Sequence, residues 1–136
     1  MSILIDTNVF LWASGIDGRL SDAARTLLED PDLPIFFSAA SAWEIAIKWS
    51  KGRLELPGTP ADVTKNVIST AGLSQLVVSV RDACAVAELP FHHKDPFDRL
   101  LVAQARLNGL QLMTANPVLE RYDVDVIALW LDEDDE

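Results

Sequence analysis

Apolar residues recur along this chain in short runs separated by longer amphipathic stretches, which is the pattern of strands alternating with helices. Ser2 to Asp6 reads as a short buried strand, and Asp6-Thr7-Asn8 then caps a helix to about Ala13. Leu20-Ser21-Asp22 opens a second helix, Ala23 to Glu29, which ends at the turn Asp30-Pro31-Asp32 before a strand from Leu33 to Phe37. Ser38 to Lys51 gives the clearest helix, stopped by Gly52. A Pro57-Gly58-Thr59-Pro60 loop precedes a helix from Ala61 to about Ala71, and Leu76 to Val80 reads as the third strand. Arg81 to Glu88 is a helix broken by Pro90, and Pro96 occupies the first turn of a helix that runs to Leu107 and stops at Asn108-Gly109. Leu110 to Thr114 and Val124 to Ala128 supply two further strands, with a turn at Asn116-Pro117 between them. Strand and helix alternate throughout, which predicts a mainly parallel sheet covered by helices.

Length sets the scale of that fold. At 136 residues and 49% hydrophobic, the chain suits one domain, expected over residues 1–131, followed by the acidic run Asp132 to Glu136 as a solvated, frayed tail. No apolar run approaches the roughly 20 residues that cross a bilayer, and the N-terminus carries no basic region followed by a long apolar stretch, so the expectation is a cytoplasmic protein with no membrane association. The single cysteine, Cys84, sits among alanines and valines and reads as a core residue. Trp12, Trp43, Trp49 and Trp130 read as core or interface residues and not as platforms for bases.

A formal charge of −10 argues against nucleic acid at first sight, because phosphate contacts need lysine and arginine. The distribution weakens the objection. Five acids are confined to the tail, and Lys48, Lys51 and Arg53 follow Glu44 while Lys94, Arg99 and Arg106 surround Asp98.

Three acids stand where an open parallel sheet gathers its ligands, beyond the carboxyl ends of the strands. Asp6 closes the first strand, Glu44 is the lone acid of an alanine, tryptophan and isoleucine helix, and Asp98 opens a late apolar helix. Converged in one crevice they would bind a hard divalent ion, Mg²⁺ or Mn²⁺, suited to phosphodiester hydrolysis. Each has an ordinary reading as well. Asp6 has the position of an N-cap, Glu44 pairs in i,i+4 fashion with Lys48 on a polar stripe, and Asp95 and Asp98 have the spacing of a cap and its N3 partner around Pro96. Asp95 is assigned mainly to capping and Asp98 mainly to the metal. His92 and His93 lack zinc spacing and cysteine companions, so a structural or edge role is expected.

Four segments are together similar to the PIN-domain ribonucleases of the VapC toxin type: residues 3–12 (ILIDTNVFLW), 38–56 (SAASAWEIAIKWSKGRLEL), 89–105 (LPFHHKDPFDRLLVAQA) and 110–124 (LQLMTANPVLERYDV). The resemblance covers nearly the whole chain. It implies an α/β/α sandwich, dependence on Mg²⁺ or Mn²⁺, cleavage of RNA, a homodimer, and silencing by a cognate antitoxin. Asp6, Glu44 and Asp98 match the family's first three acids. The fourth falls at Asn116, an amide in the stretch Thr114-Ala115-Asn116, which implies weaker metal affinity or one firmly held ion. In the same frame Thr7 and Ser38 become water-positioning hydroxyls, and Arg99 contacts the phosphate or pairs with a neighbouring acid. A rival reading keeps the fold without catalysis, as a binding module whose acid pocket grips a partner's basic residue; Asn116 favours it. A phosphate-receiving signalling domain fits less well, since Asp6 has no acidic neighbour and no lysine follows the late strand.

Overall fold

A computed structural model of the chain describes residues 1–16, 18 and 20–129. The expected acidic tail and Trp130 lie outside the described residues. Five strands, β1 (Ile3–Ile5), β2 (Ile35–Ser38), β3 (Ser74–Leu76), β4 (Gln111–Thr114) and β5 (Val126–Ala128), form one sheet in the order β3-β2-β1-β4-β5. All four pairings are parallel, and β1 is central, with Ile3 opposite Ile35 on one side and Gln111 on the other. Six α-helices connect and cover them: α1 (Thr7–Ala13), α2 (Asp22–Leu28), α3 (Ala39–Ser50), α4 (Pro60–Ala71), α5 (Val80–Ala85) and α6 (Pro96–Asn108).

The pleat divides the core in two. Ile3 and Ile5 of β1 join Ile35, Phe37 and Met113 under α1, whose Phe10 stacks on Phe37 with ring centroids 4.1 Å apart. Leu4, pointing the other way, joins Leu112 and the α6 residues Leu101 and Val102 in a second core. Alternate residues of one strand therefore enter opposite layers, and β1 is apolar at every position because both of its faces are covered. This is the α/β/α sandwich expected.

Helix starts follow the expected chemistry closely. Asp6, Ser21, Ser38, Thr59, Ser79 and Asp95 each accept a backbone N–H from the first turn that follows. Gly109 ends α6 in a left-handed conformation, φ +64°, where a side chain would be strained.

Two expectations need correction, and a third is narrowed. The third strand lies at Ser74–Leu76, not at Leu76–Val80, and Val77 and Val80 are 72% and 83% exposed. As the sheet's edge it needs little apolar surface, and a capping box between Ser79 and Asp82 claims Val80 for α5. Cys84 is exposed, because α5 turns Asp82 inward to Gln104 and leaves Ala83 and the cysteine outside. Of the core and interface roles expected for Trp43 and Trp49, exposures of 62% and 41% remove only the first, since α3 buries the smaller face of Ala40, Ser41, Glu44 and Ile45. Trp12 is packed against the first core as expected.

Candidate metal centre

In this sheet the chain moves outward from β1 in one direction to β2 and β3, and β4 and β5 lie on the other side. The connections leaving β1 and β4 therefore diverge, opening a crevice at their carboxyl ends. Asp6 follows β1 there, and Thr114 and Asn116 close β4. Helix α3 brings Ser41 and Glu44 to the same place from the far side, and the start of α6 brings Asp95 and Asp98.

Asp6 is buried. Its Oδ1 accepts the Val9 N–H at 2.8 Å, and the Thr114 side chain bonds it as well. Burial pushes its carboxyl up to about 6, against the pull of those two hydrogen bonds, and the negative charges of Asp98 and Glu44 push the same way. Asp98 is also raised, first by burial, then by the charge of Asp95, with His93 opposing and Glu44 adding to the rise. The charge of Glu44 thus reaches both Asp6 and Asp98, and that of Asp98 reaches Asp6, as expected of groups that share a crevice.

Glu44 is likewise buried, and its two oxygens are held separately. Oε1 lies 2.5 Å from the Thr7 hydroxyl, which also stands 2.9 Å from Ser41 Oγ, and Oε2 pairs with Lys48 Nζ at 2.8 Å. The ordinary reading of Glu44 is thus met in part: it has its i,i+4 lysine but is buried and not on a solvated stripe.

A second group completes the crevice. His93 Nε2 lies 2.9 Å from Asp98 Oδ2 and 3.4 Å from Asn116 Nδ2, and His93, Asp95 and Asp98 each present a ligand atom within 4.8 Å of the other two. Asp6 and Glu44 stand outside this tighter trio, turned to Val9 and Thr114 and to Thr7 and Lys48 respectively. The donors are mostly carboxylate oxygens, and among the described residues Asp6 has no lysine or arginine partner. Carboxylates gathered in this way, Asp6 and Glu44 buried and Asp95 and Asp98 half-buried, suit a hard divalent cation.

The sequence matches the PIN domain family over residues 3–125. This chain belongs to the PIN domain family. Among solved structures the PIN domain is similar to VapBC2 from Rickettsia felis bound to a DNA fragment from their promoter, with a TM-score of 0.68, 17% identity, and coverage of 94% of this chain and 98% of that one. FitAcB from Neisseria gonorrhoeae matches at a TM-score of 0.62, 20% identity, and 94% and 98% coverage. VapBC-5 from Mycobacterium tuberculosis, of the VapBC family of toxin-antitoxin systems, matches at 0.60, 18%, and 93% and 98%. At these identities the likeness establishes the fold. No curated protein matches the sequence.

Two site residues expected from sequence have other work in this PIN domain. Ser38 is fully buried as the α3 cap, its hydroxyl accepting from Ala40 N at 3.0 Å and donating to Gln104 Oε1 at 2.6 Å, so it has no hydrogen left for a water in the crevice. Arg99 faces away from the acids. It is buried, and its guanidinium donates to the carbonyls of Val86, Leu89, Pro90 and His93 and to the Tyr122 hydroxyl, beneath the ring of Phe91. Among the described residues it has no carboxylate partner. A helix residue one position after Asp98 points about 100° away from it, and the carbonyl-rich loop before α6 lies there.

Thr7 does face the crevice, through Glu44, and Asn116 caps the turn Pro117–Arg121 with Oδ1 while its amide nitrogen reaches His93. Asp95 caps α6 through Phe97 N and Asp98 N, as expected, and also stands in the trio. His93 and Ser41 were not singled out from sequence as site residues. Ser41 had a legible signal, lying three residues before Glu44 on the same helical face.

Proposed function

We propose that this PIN domain is a metal-dependent endoribonuclease of the VapC type, acting in the cytoplasm as the toxin of a toxin-antitoxin pair. The observation that carries the reading is the gathering of acids at the switch point of a parallel sheet, where the charge of Glu44 acts on both Asp6 and Asp98 and that of Asp98 acts on Asp6. Acids crowded into a crevice of low polarity are costly unless a function uses them. The VapBC likenesses support the toxin assignment.

Asp6 and Asp98 would hold Mg²⁺ or Mn²⁺, with Glu44 ligating directly or through water and Asn116 hydrogen-bonding a ligand without adding charge. Such an ion, when bound, polarises the phosphodiester and lowers the pKa of attacking water. The chain's own part is to fix the acids: Thr7 orients Glu44, Thr114 and the Val9 N–H orient Asp6, and His93 orients Asp98. RNA is the substrate. A homodimer and a cognate antitoxin complete the assembly, and a formal charge of −10 suits a partner that presents a basic side chain to the acids.

The test is RNA cleavage by the purified chain in Mg²⁺, in Mn²⁺ and in chelator, beside the Asp6→Ala variant. Metal-dependent cleavage lost in the variant, and suppressed by the product of the adjacent small reading frame, is expected. Tight binding of that product with no cleavage under any metal would instead establish the non-catalytic module, the reading that Asn116 favours.

A further inference from the structure

Trp43 stands immediately before Glu44 on α3, and Phe97 immediately before Asp98 at the start of α6. Their rings meet edge to face with centroids 5.3 Å apart, so an aromatic pair bridges the two helices that deliver two of the acids. Phe97 is half-buried, while Trp43 keeps 62% of its surface exposed. The core does not use this indole. It is braced by Phe97 at the rim of the acid crevice, with a large apolar surface presented to solvent.

We infer that Trp43, braced by Phe97, is a stacking platform for an unpaired base next to the scissile phosphate, in place of the core or interface role read from sequence. The inference rests on the nuclease reading of the acid crevice. Charge supports it. With 11 lysines and arginines against 21 acids, the chain has little to offer a polyanion by electrostatics. Stacking on an aromatic ring needs no charge and accepts any base. A base in a duplex is already stacked on both sides and cannot reach a side-chain platform without being extruded. Among the described residues the Trp43 side chain makes no hydrogen bond to the acids, so its part is to position substrate.

Two measurements test this. In steady-state cleavage of a short single-stranded RNA, Trp43→Ala should raise KM about tenfold with kcat little changed, and Trp43→Phe should recover most of the loss. On the same RNA made abasic beside the cut, Trp43→Ala should have no further effect. An unchanged KM, or an equal loss on the abasic substrate, would overturn the proposal.

The second measurement needs no cleavage. Titration of the full chain with octauridine should quench the part of the tryptophan fluorescence that Trp43→Phe removes, and a duplex RNA of the same length should not. If octauridine quenches but the chain cleaves nothing under any metal, the platform stands and the nuclease reading fails. No quenching overturns the platform whatever the cleavage result. Quenching that instead follows protein concentration without RNA, with Trp43→Ala shifting a dimer to monomer, would assign the indole to a contact between copies.

Discussion

His93 Nε2 lies 2.9 Å from Asp98 Oδ2, although five residues and a helix cap separate them in sequence. The imidazole is in a position to fix the orientation of an acid proposed to ligate, and losing a partner that orients a ligand typically costs about ten- to a hundredfold in metal affinity. Replacing His93 with Ala should weaken divalent-ion binding at least tenfold or so in a calorimetric titration while leaving the fold's circular dichroism unchanged. Affinity equal to the parent's would remove His93 from the site.

Asn116 lies on the other side of the same imidazole, 3.4 Å away. Asn116→Asp would add a carboxylate beside His93 and Asp98, and should tighten Mg²⁺ binding about tenfold if the ion lies within reach. It should also lower stability in chelator, because a further negative charge joins acids that already repel. A calorimetric titration showing no gain would place the ion nearer Asp6 and Glu44.

Asp6 makes stability depend on pH in a definite direction. Its carboxyl ionises near 6 in the folded protein, above the ordinary 3.8, chiefly because it is buried. The folded state therefore binds this proton more tightly than the unfolded state. The group's favourable contribution is complete below about 4 and is lost as pH rises through about 6, an effect on the order of 3 kcal/mol. Metal-free protein should accordingly lose stability from this group between pH 4 and 7, and Asp6→Asn, whose amide still caps α1, should flatten that slope. Urea denaturation in chelator at several pH values would measure it. An identical slope in the variant would assign the dependence to other groups.

Lys48 competes for Glu44. The pair is close, 2.8 Å, between a lysine side chain that is 44% exposed and a carboxylate that is buried. Lys48→Met should cost about 1–2 kcal/mol in stability, because it leaves Glu44 without its one compensating cation. Divalent ions should then bind several-fold more tightly. Weaker binding in the variant would show that Lys48 supports the ion's site instead of opposing it.

The parts of this site that were legible in sequence are those whose position is set locally. Asp6 ends an apolar strand, Asp95 and Asp98 flank a helix-starting proline, and Glu44 interrupts a nearly apolar helix, so each could be placed on an element before any tertiary contact was known. The parallel order followed from strand and helix alternation for the same reason. His93 could not be read this way. Its approach to Asp98 depends on a loop held by contacts with Arg99 and with Tyr122, whose hydroxyl accepts the His93 N–H from 29 residues away. Ser38 and Arg99 failed differently: their chemistry suits a phosphate site, but Gln104 and a cluster of backbone carbonyls claim them first. The edge strand was misplaced because Val77, Val78 and Val80 mimic a buried run that the sheet's edge does not need.

Arg99 provides the sharpest contrast between those readings. Its guanidinium satisfies carbonyls at Val86, Leu89 and Pro90 at 3.2, 3.3 and 2.9 Å, and it shares Tyr122 with His93. A lysine carries the same charge but cannot span these acceptors with a planar fork. Arg99→Lys should therefore leave buried carbonyls unpaired and cost about 2–3 kcal/mol, seen as a lower urea midpoint. Because the same loop delivers His93 to Asp98, ion affinity should fall alongside, as in the His93 variant, although Arg99 touches no acid. A residue that merely gripped phosphate would behave otherwise: Arg99→Lys would keep its stability and ion affinity and lose only RNA binding, and that outcome would restore the role expected from sequence.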